Sequence, residues 1–280
     1  MFKIVNKKVL SPTLVEFDIL AEDTAKNALA GQFVMIRLDE VGERIPLTIV
    51  STDKNTGLVK IILQIVGKTT KLLGQLEAGD TIKDFLGPLG QPSKIENYGN
   101  VVCIGGGVGV AAIYPIAKAL KEKQNKVVGI LGARTKELLI LENEMQEISD
   151  EYFVATNDGS VGRNGFVTDV LKEILQSQKV DIVFAIGPMP MMKAVFDMVK
   201  SFNDKIPVRL SLETLMLDGI GMCGACRVNY YGETKFTCAD GPEFDAYGLD
   251  FVDIANRQKA YKDKEKIAME QHNGECKCHK

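Results

Sequence analysis

Short apolar runs alternate with turns over the first third of the chain. At positions 14–19 the apolar residues Val15, Phe17 and Ile19 alternate with other residues, which is the period-two pattern of a half-buried strand. Further strand-like runs follow at 32–38, 44–50 and 58–66. Several short strands at this spacing predict a small antiparallel barrel, and the mouth of such a barrel is a common site for a large ligand.

A second pattern begins near residue 98, where a strand, a glycine-rich turn and a helix follow one another. Positions 100–104 are mostly apolar, glycines stand at 105, 106, 107 and 109, and helical periodicity continues to Leu120. Strand-like runs at 126–131, 151–156 and 182–186 then alternate with helical stretches. This alternation predicts a parallel sheet whose ligand binds at the carboxyl ends of its strands.

These patterns together predict a β plus α/β fold. We place an antiparallel barrel at 1–97, a parallel-sheet nucleotide-binding domain at 98–210, a cysteine-containing loop segment at 211–250 and an extension at 251–280. At 280 residues, about two domains are expected in addition to short segments.

Composition narrows the function. The chain is 45% hydrophobic and 25% charged, with no apolar run of about 18 residues and no signal-peptide core, so we expect a cytoplasmic protein with no membrane partner. The formal net charge of −3, without a basic tract, argues against nucleic acid as a partner. The two histidines, His272 and His279, lie near the C-terminus. We therefore assign no catalytic acid or base, and expect a cofactor to supply the chemistry.

Three of the six cysteines, Cys223, Cys226 and Cys238, lie in a glycine-rich stretch at 216–241. In a reducing cytosol, close cysteine pairs indicate metal ligands rather than disulfides. Thiolates bind zinc or iron–sulfur clusters, and glycine-rich backbone lets amide groups surround an anionic cluster. Asp218, five residues before Cys223, stands where a fourth ligand is expected. A structural zinc site is the alternative to a cluster.

The stretch 216–241 resembles the cluster loop of dihydroorotate dehydrogenase electron-transfer subunits, in which four cysteines hold a 2Fe–2S cluster. Asp218 stands at the first of those four positions. Three cysteines and an aspartate resemble the small (alpha) subunit of NADH-dependent reduced ferredoxin:NADP oxidoreductase. The resemblance implies a 2Fe–2S cluster held by Asp218, Cys223, Cys226 and Cys238.

Two motifs in the barrel resemble flavin-binding sequences of the ferredoxin reductase superfamily, the first at 44–48 and the third, a Gly-Pro-x-Gly turn, at 87–90. Between them, the second motif is a helix start at 67–70, where backbone amides and hydroxyls form an anion site suited to the FAD pyrophosphate. The first departs from the superfamily because Arg44 precedes Leu47 by three residues instead of two. The resemblance implies FAD, with Leu47 against the isoalloxazine and Thr48 near its N5. The predicted FAD-binding residues are Arg44, Pro46, Leu47, Thr48, Gln64, Val66, Gly67, Lys68, Thr69, Thr70, Gly87, Pro88 and Gly90.

The glycine turn at 105–109 is followed by Arg134, where the classical dinucleotide fold has an acid. The glycines and the Gly-x-Arg sequence resemble the pyridine-nucleotide domain of ferredoxin reductases instead. Arg134 suits either NAD(H) or NADP(H), so the preference stays open. We interpret Cys103 as a core residue. The predicted nucleotide-binding residues are Gly105, Gly106, Gly107, Val108, Gly109, Arg134, Asn157, Asp158, Gly187, Pro188 and Met189.

The resemblance covers nearly the whole chain and implies that NADH reduces FAD and that single electrons leave through the cluster. It implies the small subunit of an oxidoreductase linking NAD(H), NADP(H) and ferredoxin, and leaves electron bifurcation open. The expected partner is a larger flavin and iron–sulfur subunit in a heterodimer, through which ferredoxin is reached. An electron-transfer subunit of a dihydroorotate or sulfide dehydrogenase and a non-catalytic redox sensor are the alternatives. The role of Cys276, Cys278 and His279 stays open between a metal site and a disordered tail.

Overall fold

The computed structural model describes residues 1–260, 263–265 and 267, so Cys276, Cys278 and His279 lie outside the described residues. Two antiparallel sheets form the N-terminal part, in the orders β5–β6–β2–β1–β7 and β4–β3–β8. Both sheets contribute to one apolar core, which includes Phe17, Val34 and Phe85. The elements are β1 (Phe2–Ser11), β2 (Leu14–Leu20), α1 (Glu22–Asn27), β3 (Phe33–Arg37), β4 (Ile45–Thr48), β5 (Ser51–Asp53), β6 (Leu58–Gln64), α2 (Lys68–Gln75), β7 (Thr81–Ile82) and β8 (Asp84–Leu89).

A seven-stranded sheet follows, in the order β12–β11–β10–β9–β13–β14–β17, in which β17 is the late strand Glu243–Asp245. Neighbouring strands from β12 to β14 are parallel, and β17 pairs antiparallel with β14 at the edge. Helices lie between the strands along the chain, as the alternating pattern predicted. The elements are β9 (Asn100–Gly106), α3 (Val110–Glu122), β10 (Lys126–Ala133), α4 (Glu142–Ile148), β11 (Glu151–Thr156), β12 (Arg163–Asn164), α5 (Val167–Ser177), β13 (Ile182–Ile186), α6 (Met189–Phe202) and β14 (Val208–Ser211).

Cys103 is fully buried in the apolar core formed by β9 and α3, which confirms it as a core residue. Burial raises the pKa of its thiol well above the usual value, because the charged thiolate is poorly solvated there. Cys103 is therefore an inert packing residue.

The remaining segment forms a hairpin, two short helices and a strand that returns to the large sheet. The hairpin turns at Gly232, as predicted, with a φ of +83°. Phe244 of the returning strand pairs with Leu210 of β14, so the cysteine segment and the nucleotide-binding domain share a sheet. The elements are β15 (Arg227–Tyr230), β16 (Glu233–Phe236), α7 (Thr237–Asp240), β17 (Glu243–Asp245) and α8 (Phe251–Lys259).

The predicted fold class is confirmed: antiparallel sheets, then a parallel sheet, then the cysteine segment. The exact domain boundaries stay a prediction. Helix α8 begins at Phe251 and buries Ile254 in the core of the large sheet. Within the described part of the chain, no helix has both the length and the apolar character needed to cross a membrane.

Candidate cofactor sites

In the glycine turn after β9, Gly106 and Gly109 are closely packed, whereas Gly107 faces open space. A Cβ on Gly106 would stand 2.3 Å from Met191 Sδ, and a Cβ on Gly109 would stand 2.4 Å from the Ile186 carbonyl oxygen. A Cβ on Gly107 would meet no protein atom within 4 Å, and Gly107 has a φ of +56° that favours glycine. Gly107 therefore faces space that a bound nucleotide can occupy, while its neighbours need glycine for packing.

The turn after β13 lies directly against this loop. Gly105 pairs with Ile186 across the parallel strands, and a Cβ on Gly187 would stand 3.0 Å from the Gly106 carbonyl oxygen. Pro188 is exposed at this edge, whereas Met189 is buried in the core beneath it. The structure thus brings both predicted nucleotide motifs to one edge of the sheet, with Met189 as a packing residue.

The ends of β10 and β11 form a polar rim beside these turns. Arg134 is exposed, and its carbonyl oxygen accepts a hydrogen bond of 3.2 Å from the Asp158 amide. The Asp158 carboxylate accepts bonds from the Ser160 hydroxyl at 2.6 Å and amide at 3.0 Å. The Ser160 hydroxyl bond, followed by the amide bond, holds the pKa of Asp158 below its usual value, so the rim carries a negative charge near Arg134. Sequence reasoning missed this role of Ser160.

The first flavin motif lies on β4, opposite β3. Thr48 pairs with Phe33 and Leu47 with Val34, and both motif residues are half-buried. Arg44 lies at the edge of the barrel, where its Nη2 is 3.9 Å from Asp84 Oδ2. That same oxygen accepts a bond of 2.6 Å from Arg37 Nε. Arg44 is therefore held by a long ion pair, and its contact with a pyrophosphate stays a prediction.

The second flavin motif opens α2 as predicted. The Thr70 hydroxyl accepts bonds from the amides of Val66 at 3.0 Å and Gly67 at 2.9 Å. The Thr69 hydroxyl donates to Glu43 Oε2 at 3.3 Å, a partner that sequence reasoning missed. Because Glu43 is acidic, a phosphate at this helix start would compete with it for Thr69. A Cβ on Gly67 would meet nothing within 4 Å, so the start of α2 has open space for a ligand.

The remaining residues predicted to bind FAD lie around these motifs. Gln64 ends β6 and is half-buried, whereas Val66 and Lys68 are exposed. The Thr24 hydroxyl donates to the Gly87 carbonyl oxygen at 2.9 Å and so fixes the third motif. These contacts are compatible with FAD binding, which stays a prediction for each individual residue.

Gly90 in the third motif has a structural role. Its φ is +77°, and a Cβ there would stand 2.8 Å from Phe33 Cε1 and 3.0 Å from the Gly241 carbonyl oxygen. The Gln32 side-chain amide donates to the Gly90 carbonyl oxygen at 2.8 Å. Gly90 therefore allows the barrel to approach the cysteine segment closely.

The four predicted metal ligands lie in two pairs. Cys226 and Cys238 are buried with their sulfur atoms 3.2 Å apart, a separation too long for a disulfide. Cys223 is exposed, and its amide donates to the Asp218 carboxylate in a short bond. No three His, Cys, Asp or Glu side chains in the described ranges are grouped closely enough to hold one metal ion. Two pairs of ligands can hold the two irons of a 2Fe–2S cluster.

The protonation of these ligands differs between the pairs. Burial acts to raise the pKa of Asp218, but hydrogen bonds from Ile220 and Cys223 outweigh it and place the pKa below its usual value. Burial, followed by the neighbouring Cys226 sulfur, raises the pKa of Cys238 to about 12. Asp218 is therefore ionised at neutral pH, whereas metal binding at Cys238 must release a proton.

The buried cysteine pair packs in one apolar cluster with two barrel residues that the sequence did not indicate. Phe33 and Met35 of β3 belong to the same apolar cluster as Cys226 and Cys238. A Cβ on Gly219 would stand 2.5 Å from Met35 Cγ, so the loop before the cysteines lies directly on β3. Only residues distant in sequence make this contact, which is why no local motif predicted it.

Three family models match the chain in the predicted order. The oxidoreductase FAD-binding domain matches residues 1–93, and the oxidoreductase NAD-binding domain matches residues 103–197. The iron–sulfur cluster binding domain of dihydroorotate dehydrogenase B matches residues 213–250. The predictions of FAD, of NAD and of an iron–sulfur cluster are thereby confirmed.

Similar proteins span nearly the full chain. One is the dihydroorotate dehydrogenase B (NAD(+)) electron transfer subunit homolog of Thermotoga maritima, 48% identical over 96% of this chain and 94% of that protein. Another is the dihydroorotate dehydrogenase B (NAD(+)) electron transfer subunit of Geobacillus thermodenitrificans, 36% identical over 87% of this chain and 95% of that protein.

A similar chain occurs in a solved structure of NADH-dependent reduced ferredoxin-NADP oxidoreductase. That structure concerns flavin-based electron bifurcation. The TM-score is 0.91 at 47% identity, over 97% of this chain and 98% of that one. The two chains share their fold and the order of their modules from end to end.

Proposed function

The chain belongs to the family of dihydroorotate dehydrogenase B electron transfer subunits and their homologues, and from this membership we propose that it is the small subunit of an NADH-dependent reduced ferredoxin–NADP oxidoreductase. It is an oxidoreductase subunit with FAD-, NAD- and iron–sulfur-binding domains. The end-to-end similarity at 47% identity and a TM-score of 0.91 carries the proposal. The dihydroorotate dehydrogenase subunit of Geobacillus thermodenitrificans is more distant, at 36% identity.

In this proposal each module presents its own groups to a cofactor. Gly107 would give the nucleotide pyrophosphate access to the backbone, and Gly187 allows the turn after β13 to pack against Gly106 of the same loop. Leu47 and Thr48 flank the flavin, and the apolar core behind them excludes water. Bound FAD supplies the conversion between a two-electron hydride donor and one-electron steps. No side chain is required to act as an acid or base.

The cysteine segment holds the cluster and presents it to a partner. Cys226 and Cys238 would hold the cluster from the buried side of the segment, and Asp218 and Cys223 would hold it from the exposed side. Four exposed apolar side chains surround the exposed side of the loop, with exposed fractions of 44% to 82%: Leu215, Leu217, Ile220 and Met222. A patch of this kind supports contact with a larger flavin and iron–sulfur subunit in a heterodimer, through which ferredoxin is reached.

Anaerobic purification of the chain with its co-eluting partner tests the proposal. We expect FAD, a 2Fe–2S cluster and a larger subunit, with NADH-dependent reduction of NADP⁺ that requires reduced ferredoxin. A complex that has both cofactors but shows no dependence on ferredoxin or NADP⁺ would contradict it.

The second candidate is an electron transfer subunit of a dihydroorotate dehydrogenase, which the names of the relatives and the cysteine-domain family favour. The same purified complex distinguishes the two functions, because only this candidate oxidises dihydroorotate with NAD⁺. A redox sensor differs from both, since NADH would leave its flavin oxidised.

A further inference from the structure

The stretch 90–93, which leads from the barrel to the large sheet, is hydrogen-bonded to the cysteine segment. The Gln91 amide donates to the Gly241 carbonyl oxygen at 2.6 Å, and Gln91 Nε2 donates to the Ala239 carbonyl oxygen at 2.9 Å. The Ser93 hydroxyl donates to Glu243 Oε2 at 2.7 Å. We call residues 90–93 the junction. The Gln91 side chain thus binds the backbone immediately after Cys238, and the Ser93 side chain binds the Glu243 carboxyl group.

The junction is also bonded to the barrel. The Gln32 side chain donates to the Gly90 carbonyl oxygen at 2.8 Å, and the Ser93 amide donates to the Ala30 carbonyl oxygen at 2.9 Å. Both barrel residues immediately precede β3. The junction therefore connects the start of β3 to the segment that follows Cys238.

The bond to Glu243 lies in an enclosed environment. Burial raises the pKa of Glu243, although the Ser93 hydrogen bond and the charge of Arg209 act in the opposite direction. A hydrogen bond away from water is electrostatically stronger than one in solvent, so Ser93 resists displacement. The Ser93–Glu243 bond is thus shielded from water, whereas the Gln91–Ala239 bond lies at the exposed surface.

Strand β3 contacts both predicted redox sites. Phe33 pairs across the sheet with Thr48, the residue expected near the flavin N5. Phe33 also belongs to the apolar cluster that contains Cys226 and Cys238. A displacement of the cysteine segment relative to β3 would therefore change the distance between flavin and cluster.

We propose that Gln91 and Ser93 are positioning residues that hold the buried cysteine pair against β3 and thereby set the spacing between flavin and cluster. The proposal rests on the proposed function, in which one electron leaves the reduced flavin and the oxidised cluster gains it. Electron transfer between fixed centres slows steeply with distance, so this spacing controls the rate of that step.

The test uses the full chain loaded with FAD and cluster, in three variants. Gln91→Glu replaces the amide donor that faces Ala239 with a carboxylate of the same size. The double variant Gln91→Ala with Ser93→Ala removes both side-chain bonds. Lys94→Ala is the matched control, because Lys94 is the next residue and its Nζ pairs with Glu96 at 3.0 Å.

The distance between flavin and cluster is measured first, in the absence of enzyme turnover. The reduced cluster accelerates the spin relaxation of a flavin radical in a distance-dependent way, which pulsed EPR detects. The rate of electron arrival at the cluster is then measured after flash reduction of the flavin. In both junction variants we expect an altered spin-relaxation rate of the flavin radical. We also expect electron transfer to the cluster to slow by about tenfold or more, because a small displacement of the cluster from the flavin has a large effect on the rate. The control should match the wild type.

Three results would overturn the proposal. The first is wild-type relaxation and electron arrival in both junction variants with both cofactors bound. The second is a changed cluster EPR spectrum or midpoint potential, which would assign these residues to holding the cluster itself. The third is loss of cofactors or fold in both variants, which would make the junction merely structural. Failure of the proposed function is distinguishable in the wild-type complex, because either NADH would leave the flavin oxidised or the complex would show no dependence on ferredoxin and NADP⁺.

Discussion

The Asp218 carboxylate accepts two backbone hydrogen bonds and is also a predicted iron ligand. Its Oδ1 accepts the Ile220 amide at 2.8 Å, and its other oxygen accepts the Cys223 amide. A carboxylate has about four lone-pair sites, so these bonds leave capacity for a metal ion. The same residue can therefore shape the loop before the cysteines and bind iron.

Substitutions at Asp218 separate these uses. Asp218→Cys should keep a 2Fe–2S cluster with an altered potential and spectrum, because sulfur is a softer and more covalent donor than oxygen. Asp218→Ala should make the cluster labile, and Asp218→Asn is the control that keeps an oxygen for the turn. The measurements are EPR of the dithionite-reduced protein and a redox titration. Wild-type spectra and potential in both the Cys and Ala variants would exclude Asp218 as a ligand.

Gly107 is the open position of the nucleotide loop. Gly107→Ala should weaken NADH binding about tenfold, a loss of about 1.4 kcal/mol, because a methyl group would obstruct the approach of the pyrophosphate. FAD should remain bound. Titration of the flavoprotein with NADH gives the affinity.

Gly79 provides the matched control for Gly107, because its φ is +105° and a Cβ there also meets nothing within 4 Å. Left-handed backbone costs an alanine roughly 1–2 kcal/mol at either position. Both variants should lose similar stability, and only Gly107→Ala should lose NADH affinity. Equal NADH affinity in the two variants would make the Gly107 loop a packing turn.

At the scale of elements, the N-terminus of the short helix α2 is a candidate ligand site. The first four amides of a helix lack partners within the helix, and they attract anions. The Thr70 hydroxyl accepts hydrogen bonds from the amides of Val66 and Gly67, and these bonds fix the backbone where it enters α2. The backbone conformation at the start of α2 is therefore fixed by a side-chain hydroxyl rather than by hydrogen bonds between backbone groups.

Removal of that hydroxyl should affect both stability and FAD retention. Thr70→Val should lower the free energy of unfolding by about 1 kcal/mol, the usual cost of losing a capping side chain. It should also raise the Kd for FAD, whereas Thr70→Ser, which keeps the hydroxyl, should retain both properties. Denaturant unfolding and flavin titration measure them. Unchanged FAD affinity in Thr70→Val would separate α2 from the flavin site.

At the scale of the whole molecule, the barrel and the cysteine segment meet at β3. The barrel core lies on one side of this strand, and the apolar cluster with Cys226 and Cys238 includes its Phe33 and Met35. The cysteine segment then returns through β17 to the edge of the large sheet. This arrangement couples the stability of the barrel to that of its neighbours.

Removal of FAD should therefore lower the stability of the chain measurably. A ligand present at one hundred times its Kd, and bound only by the folded state, adds about 2.7 kcal/mol to the free energy of unfolding. We expect the urea midpoint to rise by the corresponding amount when FAD is restored to the apoprotein, with FMN as the control. An unchanged midpoint would contradict FAD binding in the barrel.

The sequence by itself determined the modules and their order. Period-two runs predicted the barrel strands, and the glycine turn before α3 predicted the nucleotide edge, because these signals depend on neighbours close in sequence. The resemblance of the motif at 44–48, of the turn at 87–90 and of the cysteine loop to known families identified the cofactors. The hairpin at Gly232 was likewise readable from its local turn sequence.

Tertiary structure alone decided how these modules meet. Residues far apart in the chain are joined by the apolar cluster of Phe33 with the buried cysteines, by the bond from Ser93 to Glu243 and by the return of β17 beside β14. Local periodicity carries no information about such pairs, because it records which face of an element is buried but not which element covers it. The spacing between the redox sites is therefore a property of the folded chain, set by contacts that no single motif contains.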